Sequence, residues 1–149
     1  MKPLKILTLL AAVTSLGACA TGPRQTDAVR LDMYRSHAGE PVKHFQYFGT
    51  LNGWTPLGDT ALSVWTKPSQ AYLLELTGAC PDLDYAPSIS LTQHMGGVSA
   101  RSDEVVPMRG GPGTLRMPCR IETIRPLDVK ALRASEKEMR EAAAVERRS

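Results

Sequence analysis

A mainly β fold is what this sequence predicts: a small antiparallel barrel or sandwich of about six short strands, with a short N-terminal helix and a C-terminal helix. Three observations predict it. Apolar and polar residues alternate in short runs, at 45–47, 54–57, 61–65, 71–76, 88–93, 98–108 and 119–124. Turn formers separate those runs at intervals of about ten residues, among them Asn52-Gly53, Gly58-Asp59, Lys67-Pro68-Ser69-Gln70 and Gly96-Gly97. Helical spacing is confined to the two ends, at residues 28–36 and after Asp128.

The first 18 residues read as an export signal. Lys2 and Lys5 form a positive flank, and residues 6–13 are apolar except for Thr8, far short of the roughly 20 residues that a bilayer span needs. Leu16-Gly17-Ala18-Cys19 closes the apolar stretch and resembles the lipobox of bacterial lipoproteins. That resemblance implies a diacylglycerol on the Cys19 thiol and removal of residues 1–18. Two or three acyl chains, each methylene contributing about 0.8 kcal/mol, make a lasting anchor, so the first expected partner is a membrane. Residues 19–26 contain Gly22 and Pro23, lack apolar periodicity, and read as a flexible tether. Ala20 stands where Asp marks inner-membrane retention in Gram-negative lipoproteins. The same resemblance therefore implies the outer membrane, with the domain facing the periplasm.

Residues 27–133 are expected to form one β-rich domain. Thr26 or Asp27 caps a helix over 28–36, with Val29, Met33 and Ser36 as its narrow stripe and Gly39 and Pro41 behind it. Phe45 and Tyr47 alternate with Gln46 in a first strand, and Trp54 to Leu57 form the next. The clearest hairpin joins 61–65 to 71–76, with Leu62 and Val64 on one face and Tyr72, Leu74 and Leu76 on the same face of the returning strand. Trp65 in that hairpin is expected in the core, where truncation to Ala costs roughly 3 to 5 kcal/mol. A second hairpin is expected between 88–93 and 98–108, turning at His94-Met95-Gly96-Gly97. Gly110 to Gly113 is a loop, and Cys119 to Ile124 the last strand. From Asp128 the chain turns helical, with Val129, Leu132 and Met139 on one stripe and Glu136–Arg140 and Lys137–Glu141 as ion pairs. Residues 134–149 are nearly all charge and Ala and read as a helical tail reaching into solvent.

Charge and cysteines narrow the class. The chain has 18 Lys and Arg against 15 Asp and Glu, and removing Lys2 and Lys5 with the signal leaves 16 against 15. A near-neutral exported domain excludes nucleic acid as partner. Of three cysteines, Cys19 is spent on lipid. Cys80 and Cys119 remain, and in an oxidising compartment they can pair, closing a loop of roughly 40 residues that stabilises the fold by about 4 kcal/mol. The alternative is a metal or reactive-thiol role, for which the sequence has no CxxC spacing.

No residue set declares a reaction. Ser88 and Ser90 with His94 and Asp82 or Asp84 have the residue types of a nucleophilic triad, but Ser-Ile-Ser-Leu-Thr lacks the Gly-x-Ser-x-Gly elbow, and alternation on a strand explains the serines. Asp82 with Asp84, or Asp103 with Glu104, would be carboxylate pairs for glycoside chemistry, although turn and surface roles account for them. His44, His94, Met95, Met108 and Met117 are ligand types for copper, without His-x-His or Met-x-x-Met clustering. Surface positions for Ser90 and His94 predict that their truncation to Ala costs within about 0.5 kcal/mol. Arg120 and Arg125 flank the last strand and are the candidate anion site, for a carboxylate or phosphate of envelope glycan or lipid. Glu122 and Asp82 are the expected ion-pair partners beside them. Gly110 to Gly113 leads into no helix and is not a phosphate loop. The expectation is a non-enzyme with no cofactor and no metal site.

Several segments together resemble a lipoprotein family called domain of unknown function 6491. They are Trp54-Thr55-Pro56-Leu57-Gly58-Asp59, Val64-Trp65-Thr66, Ala71-Tyr72-Leu73-Leu74-Glu75-Leu76, Cys80-Pro81-Asp82-Leu83, Cys119-Arg120-Ile121 and Ile124-Arg125-Pro126-Leu127-Asp128. The resemblance covers roughly residues 28–133, and the two cysteines with Pro81 and Arg120 are its most specific points. It implies the same fold, export and pairing of Cys80 with Cys119, and brings no activity. The expected role is structural or binding, with an envelope protein or cell-wall glycan as partner. The alternatives are a periplasmic enzyme or accessory subunit acting on cell-wall material, and a metal-binding lipoprotein.

Overall fold

The computed structural model describes residues 26–111 and 116–149. The expected signal segment, Cys19 and the expected tether up to Gln25 lie outside the described residues, as do Pro112 and Gly113 of the glycine-rich loop. In chain order the elements are α1 (Asp27–Ser36), β1 (His44–Gln46), β2 (Gly53–Pro56), β3 (Ala61–Lys67), β4 (Gln70–Leu76), a 3-10 turn (Leu83–Tyr85), β5 (Ser88–Leu91), β6 (Gly97–Ser99), β7 (Glu104–Met108), β8 (Cys119–Pro126) and α2 (Val129–Glu146). Six strands form one curled antiparallel sheet in the order β2-β3-β4-β8-β7-β5, a half-barrel, and β1 pairs with β6 in a separate ribbon. The mainly β class with a helix near each end is as the sequence predicts.

Strand alternation divides the core in two. Along β3 and β4, Leu62, Val64, Leu74 and Leu76 point into the curl and meet Phe45, Tyr47 and Val98 of the ribbon region, with Ile121 and Ile124 from β8. The opposite face of the same strands carries Ala61, Ala71 and Leu73, and is covered by Leu31 and Tyr34 of α1 and Val129 and Leu132 of α2. Strands buried on both faces lose the clean apolar-polar alternation, which is why β3 reads Ala-Leu-Ser-Val. Ile121 and Ile124 share the interior although three residues apart, because a register shift between Glu75 and Leu76 places an extra β8 residue there. Pro56 sits in β2, at the sheet edge, where a missing N–H costs no ladder bond.

The hairpin β3–β4 forms as expected, pairing Ala61 with Glu75 and Leu62 with Leu74. The second expected hairpin forms in part, with a bridge between His94 and Gly97 closing its turn. Strand β5 pairs with β7, from Ser88 opposite Met108 to Leu91 opposite Val105, whereas β6 leaves the sheet to pair with β1. Residues 98–108 break at Asp103, whose N–H donates to the Ser99 carbonyl at 3.0 Å and whose carboxylate accepts from the Ser99 N–H at 2.7 Å. A side chain that closes a turn on its own backbone outcompetes a continuous strand, and Arg101 takes a left-handed conformation inside it.

Helix α1 begins at its Thr26 cap, but its buried residues are Leu31 and Tyr34, not the Val29, Met33 and Ser36 stripe. Val29 is exposed and Met33 only partly packed. Tyr34 buries its ring because its hydroxyl finds a partner, donating to Glu136 Oε1 on α2 at 2.7 Å. That bond takes Glu136 away from the expected pair with Arg140, while Lys137 and Glu141 do pair at 3.8 Å. Helix α2 starts at its Asp128 cap and runs unbroken through residue 134, with Ser135 and Glu136 still bonded to His37 and Tyr34. Trp65 is half-buried on the outer face with the Arg133 guanidinium 5.2 Å from its ring centroid, so it is not the fully enclosed core residue expected. Among the described residues no helix is long and apolar enough to cross a membrane.

Candidate functional site

Cys80 and Cys119 are joined in a disulfide with Cα atoms 5.6 Å apart, Cys80 being fully buried. The bond ties the loop after β4 to the first residue of β8, and the Thr77 N–H donates to the Arg120 carbonyl beside it. Arg120 then points to Glu104, at 3.6 Å. Arg125 donates through Nε to the Gly39 carbonyl at 2.9 Å and through Nη2 to that of Ala38. The two candidate anion-binding arginines lie five residues apart on β8, roughly 15 Å at strand rise, and each is occupied separately. Their expected partners are also elsewhere: Asp82 pairs with Arg109, and Glu122 with Arg101. The structure does not bring Arg120 and Arg125 together.

The serine triad is not assembled either. Ser88 and Ser90 are exposed on β5, while Asp82 and Asp84 lie at the 3-10 turn. Burial pushes the Asp84 carboxyl up, and the negative charges of Asp27 and Asp59 push it further. His94 has a different carboxylate. Its Nδ1 lies 3.0 Å from Oδ1 of Asp103, which also accepts from the Thr92 hydroxyl at 2.9 Å, and Asp103 is wholly buried although His94 is largely exposed. With the Ser99 N–H on Oδ2, three donors converge on one buried carboxylate, as burial of a charge requires. A carboxylate only accepts, so the imidazole donates to it through its Nδ1–H. Among the described residues no serine or cysteine is hydrogen-bonded to this ring. The pairing of His94 with Asp103 is not among the sequence expectations, and its one sequence signal is a His and an Asp on either side of a Gly-Gly turn.

Of the copper-type residues, Met95 and Met117 are exposed, and no group of three His, Cys, Asp or Glu that could hold a metal ion exists among the described residues. His44 stands elsewhere, at a groove between the ribbon and the β3–β4 hairpin.

That groove encloses about 350 Å³ and is lined by His44, Phe45, Gln46, Tyr47 and Phe48 from one side and Thr66, Lys67, Gln70 and Tyr72 from the other. Strand alternation builds it: Phe45 turns inward and stacks on Tyr72 with centroids 4.5 Å apart, leaving His44 and Gln46 outward. Burial raises the Tyr47 and Tyr72 phenols above their ordinary value. Phe48 at the rim is 82% exposed. In the sequence these tyrosines are strand-face residues only, because a groove between two sheets has no local signature.

A family model described as a family of unknown function (DUF6491) matches residues 2–143, nearly the whole chain, and the chain belongs to that family. No curated protein and no solved structure matches it.

Proposed function

For this member of that family, we propose a lipid-anchored protein of the bacterial envelope, held by Cys19 at the outer membrane, whose single disulfide-clamped domain binds an envelope component and is not an enzyme. The observation that carries the reading is the Cys80–Cys119 bond. A buried disulfide closing a long loop belongs to an oxidising compartment, which agrees with a signal segment ending in Leu16-Gly17-Ala18-Cys19. The groove, with its polar rim and aromatic floor, supports a binding role over a purely structural one. The test is fractionation with a fatty-acid analogue. The wild-type protein should label and sediment with membranes, and Cys19→Ser should do neither or remain unprocessed. Unchanged labelling of Cys19→Ser refutes the anchor.

One observation favours a second reading, a periplasmic enzyme or accessory subunit acting on cell-wall material. An exposed imidazole oriented by a buried carboxylate is the arrangement of a general base. Complementation of a deletion strain separates the two. If His94→Gln is exported, abundant and folded yet fails to complement, the enzymatic reading replaces the binding one.

A further inference from the structure

We infer that the groove between β1 and the β3–β4 hairpin is a binding site for a carboxylate-bearing sugar chain. This rests on the envelope-binding role proposed above and names the ligand class of the site. The first observation is an unpartnered donor. Tyr47 is only 7% exposed, lines the groove, and its hydroxyl makes no hydrogen bond to any described residue; nor does that of half-buried Tyr72. A phenol buried along its ring with its tip open to the groove is a fixed donor that water or a ligand can accept from.

The second observation is charge. Lys67 and His44 line the groove, no carboxylate does, and Lys67 has no ion-pair partner among the described residues. Unlike Arg35, Arg101, Arg109 and Arg120, which are matched to acids, Lys67 is an open cation beside neutral donors. It selects an anionic ligand. The third is the mixture of groups. Gln46 and Gln70 supply amides, Tyr47 and Tyr72 hydroxyl donors, and Phe48 an exposed ring at the rim against which the C–H face of a pyranose stacks. Alternating hydroxyls and one carboxylate on a flat ring match that set; a peptide would leave both phenols competing with backbone for few acceptors.

The experiment uses the acylated protein in a detergent without a sugar headgroup, titrated calorimetrically at low salt. Three probes are compared: a soluble disaccharide-peptide released from cell wall, an acidic core oligosaccharide from lipopolysaccharide, and neutral chitotetraose. At least one acidic probe should bind, chitotetraose should bind at least tenfold more weakly, and added salt should narrow that gap. Which acidic probe is tighter identifies the source. Lys67→Gln should abolish the acidic preference, and Tyr47→Phe, which keeps the buried ring and the fold, should weaken binding severalfold. Failure of both acidic probes at millimolar concentration, equal binding of chitotetraose, or unchanged binding in both variants overturns the inference. Those outcomes leave the membrane-labelling result with Cys19 untouched, so the failure of this site and the failure of the anchor are separate results.

Discussion

Replacing Asp103 tests whether the loop around His94 is held by one carboxylate. In Asp103→Ala the Thr92 hydroxyl, the Ser99 N–H and the His94 ring lose an acceptor at 2.9, 2.7 and 3.0 Å. His94 is largely exposed and water replaces its partner at little cost, but Thr92 and Ser99 are half-buried. Hydrogen bonds to a charged group contribute about 1.5–3 kcal/mol each, so two left unmet put the loss at about 3–6 kcal/mol. Asp103→Asn keeps one oxygen and sets an NH2 group where a second acceptor stood, which places it between Asp103→Ala and wild type. Truncating His94 instead removes the exposed donor and leaves Asp103 two of its three partners, for a loss of up to about 1 kcal/mol, more than a free surface residue would give. Guanidinium unfolding with the disulfide intact, followed by the fluorescence of Trp54 and Trp65, measures the series. A loss below about 1 kcal/mol for Asp103→Ala at unchanged denaturant slope would refute the argument that this carboxylate holds the loop.

Four further outcomes follow from other elements. Replacing both Cys80 and Cys119 by Ala should cost about 4 kcal/mol for a loop of 39 residues, read by denaturation against the oxidised protein, and a loss under 1 kcal/mol would contradict the chain-entropy account. Thr123 buries a hydroxyl with no partner, so Thr123→Val, of the same shape, should raise stability by about 1 kcal/mol; a lower midpoint would show the hydroxyl to be satisfied. Burial and then the Glu136 carboxylate push the Tyr34 phenol up to about 12 from 10.0. The native state thus keeps a proton that the unfolded chain loses, and stability holds below pH 10 and falls between pH 10 and 12. Tyr47 and Tyr72 add to that slope, so the measurement is the difference between wild type and Tyr34→Phe, and equal slopes count against the assignment. Trp65→Ala should cost about 1–3 kcal/mol, less than a core tryptophan, with Arg133→Ala removing part of it in a double-mutant cycle.

Local patterns carried the strands and their pairing where neighbours in sequence are neighbours in the sheet. The β3–β4 hairpin was legible because Leu62 and Val64 face Leu74 and Tyr72 across a turn with Pro68 in it. The second hairpin was legible only in part, since Asp103 pulls Ser99 into a turn and sends β6 to a strand some fifty residues earlier in the chain, leaving β7 alone to pair with β5. Period also misled at α1, where Val29 and Ser36 looked like a stripe. Tyr34 won the buried position because α2 brings Glu136 to its hydroxyl, a contact across 102 residues.

The same distinction separates the parts of the candidate site. Cys80 and Cys119 could be paired on paper because chemistry leaves two thiols few alternatives in an oxidising compartment. Arg120 and Arg125 could not be resolved, because an arginine's worth to a ligand depends on whether a nearby acceptor already holds it. Glu104 and the carbonyls of Ala38 and Gly39 hold these two, and those acceptors come from distant segments. Lys67 is the converse case: it sits in a hairpin turn, where a charge is ordinarily solvated, and becomes informative only once β1 places Tyr47 across from it with no acid between. An unmatched cation and an unmatched phenol on facing elements are a property of the assembled groove, and removing either one alone tests it without disturbing the strand that carries it.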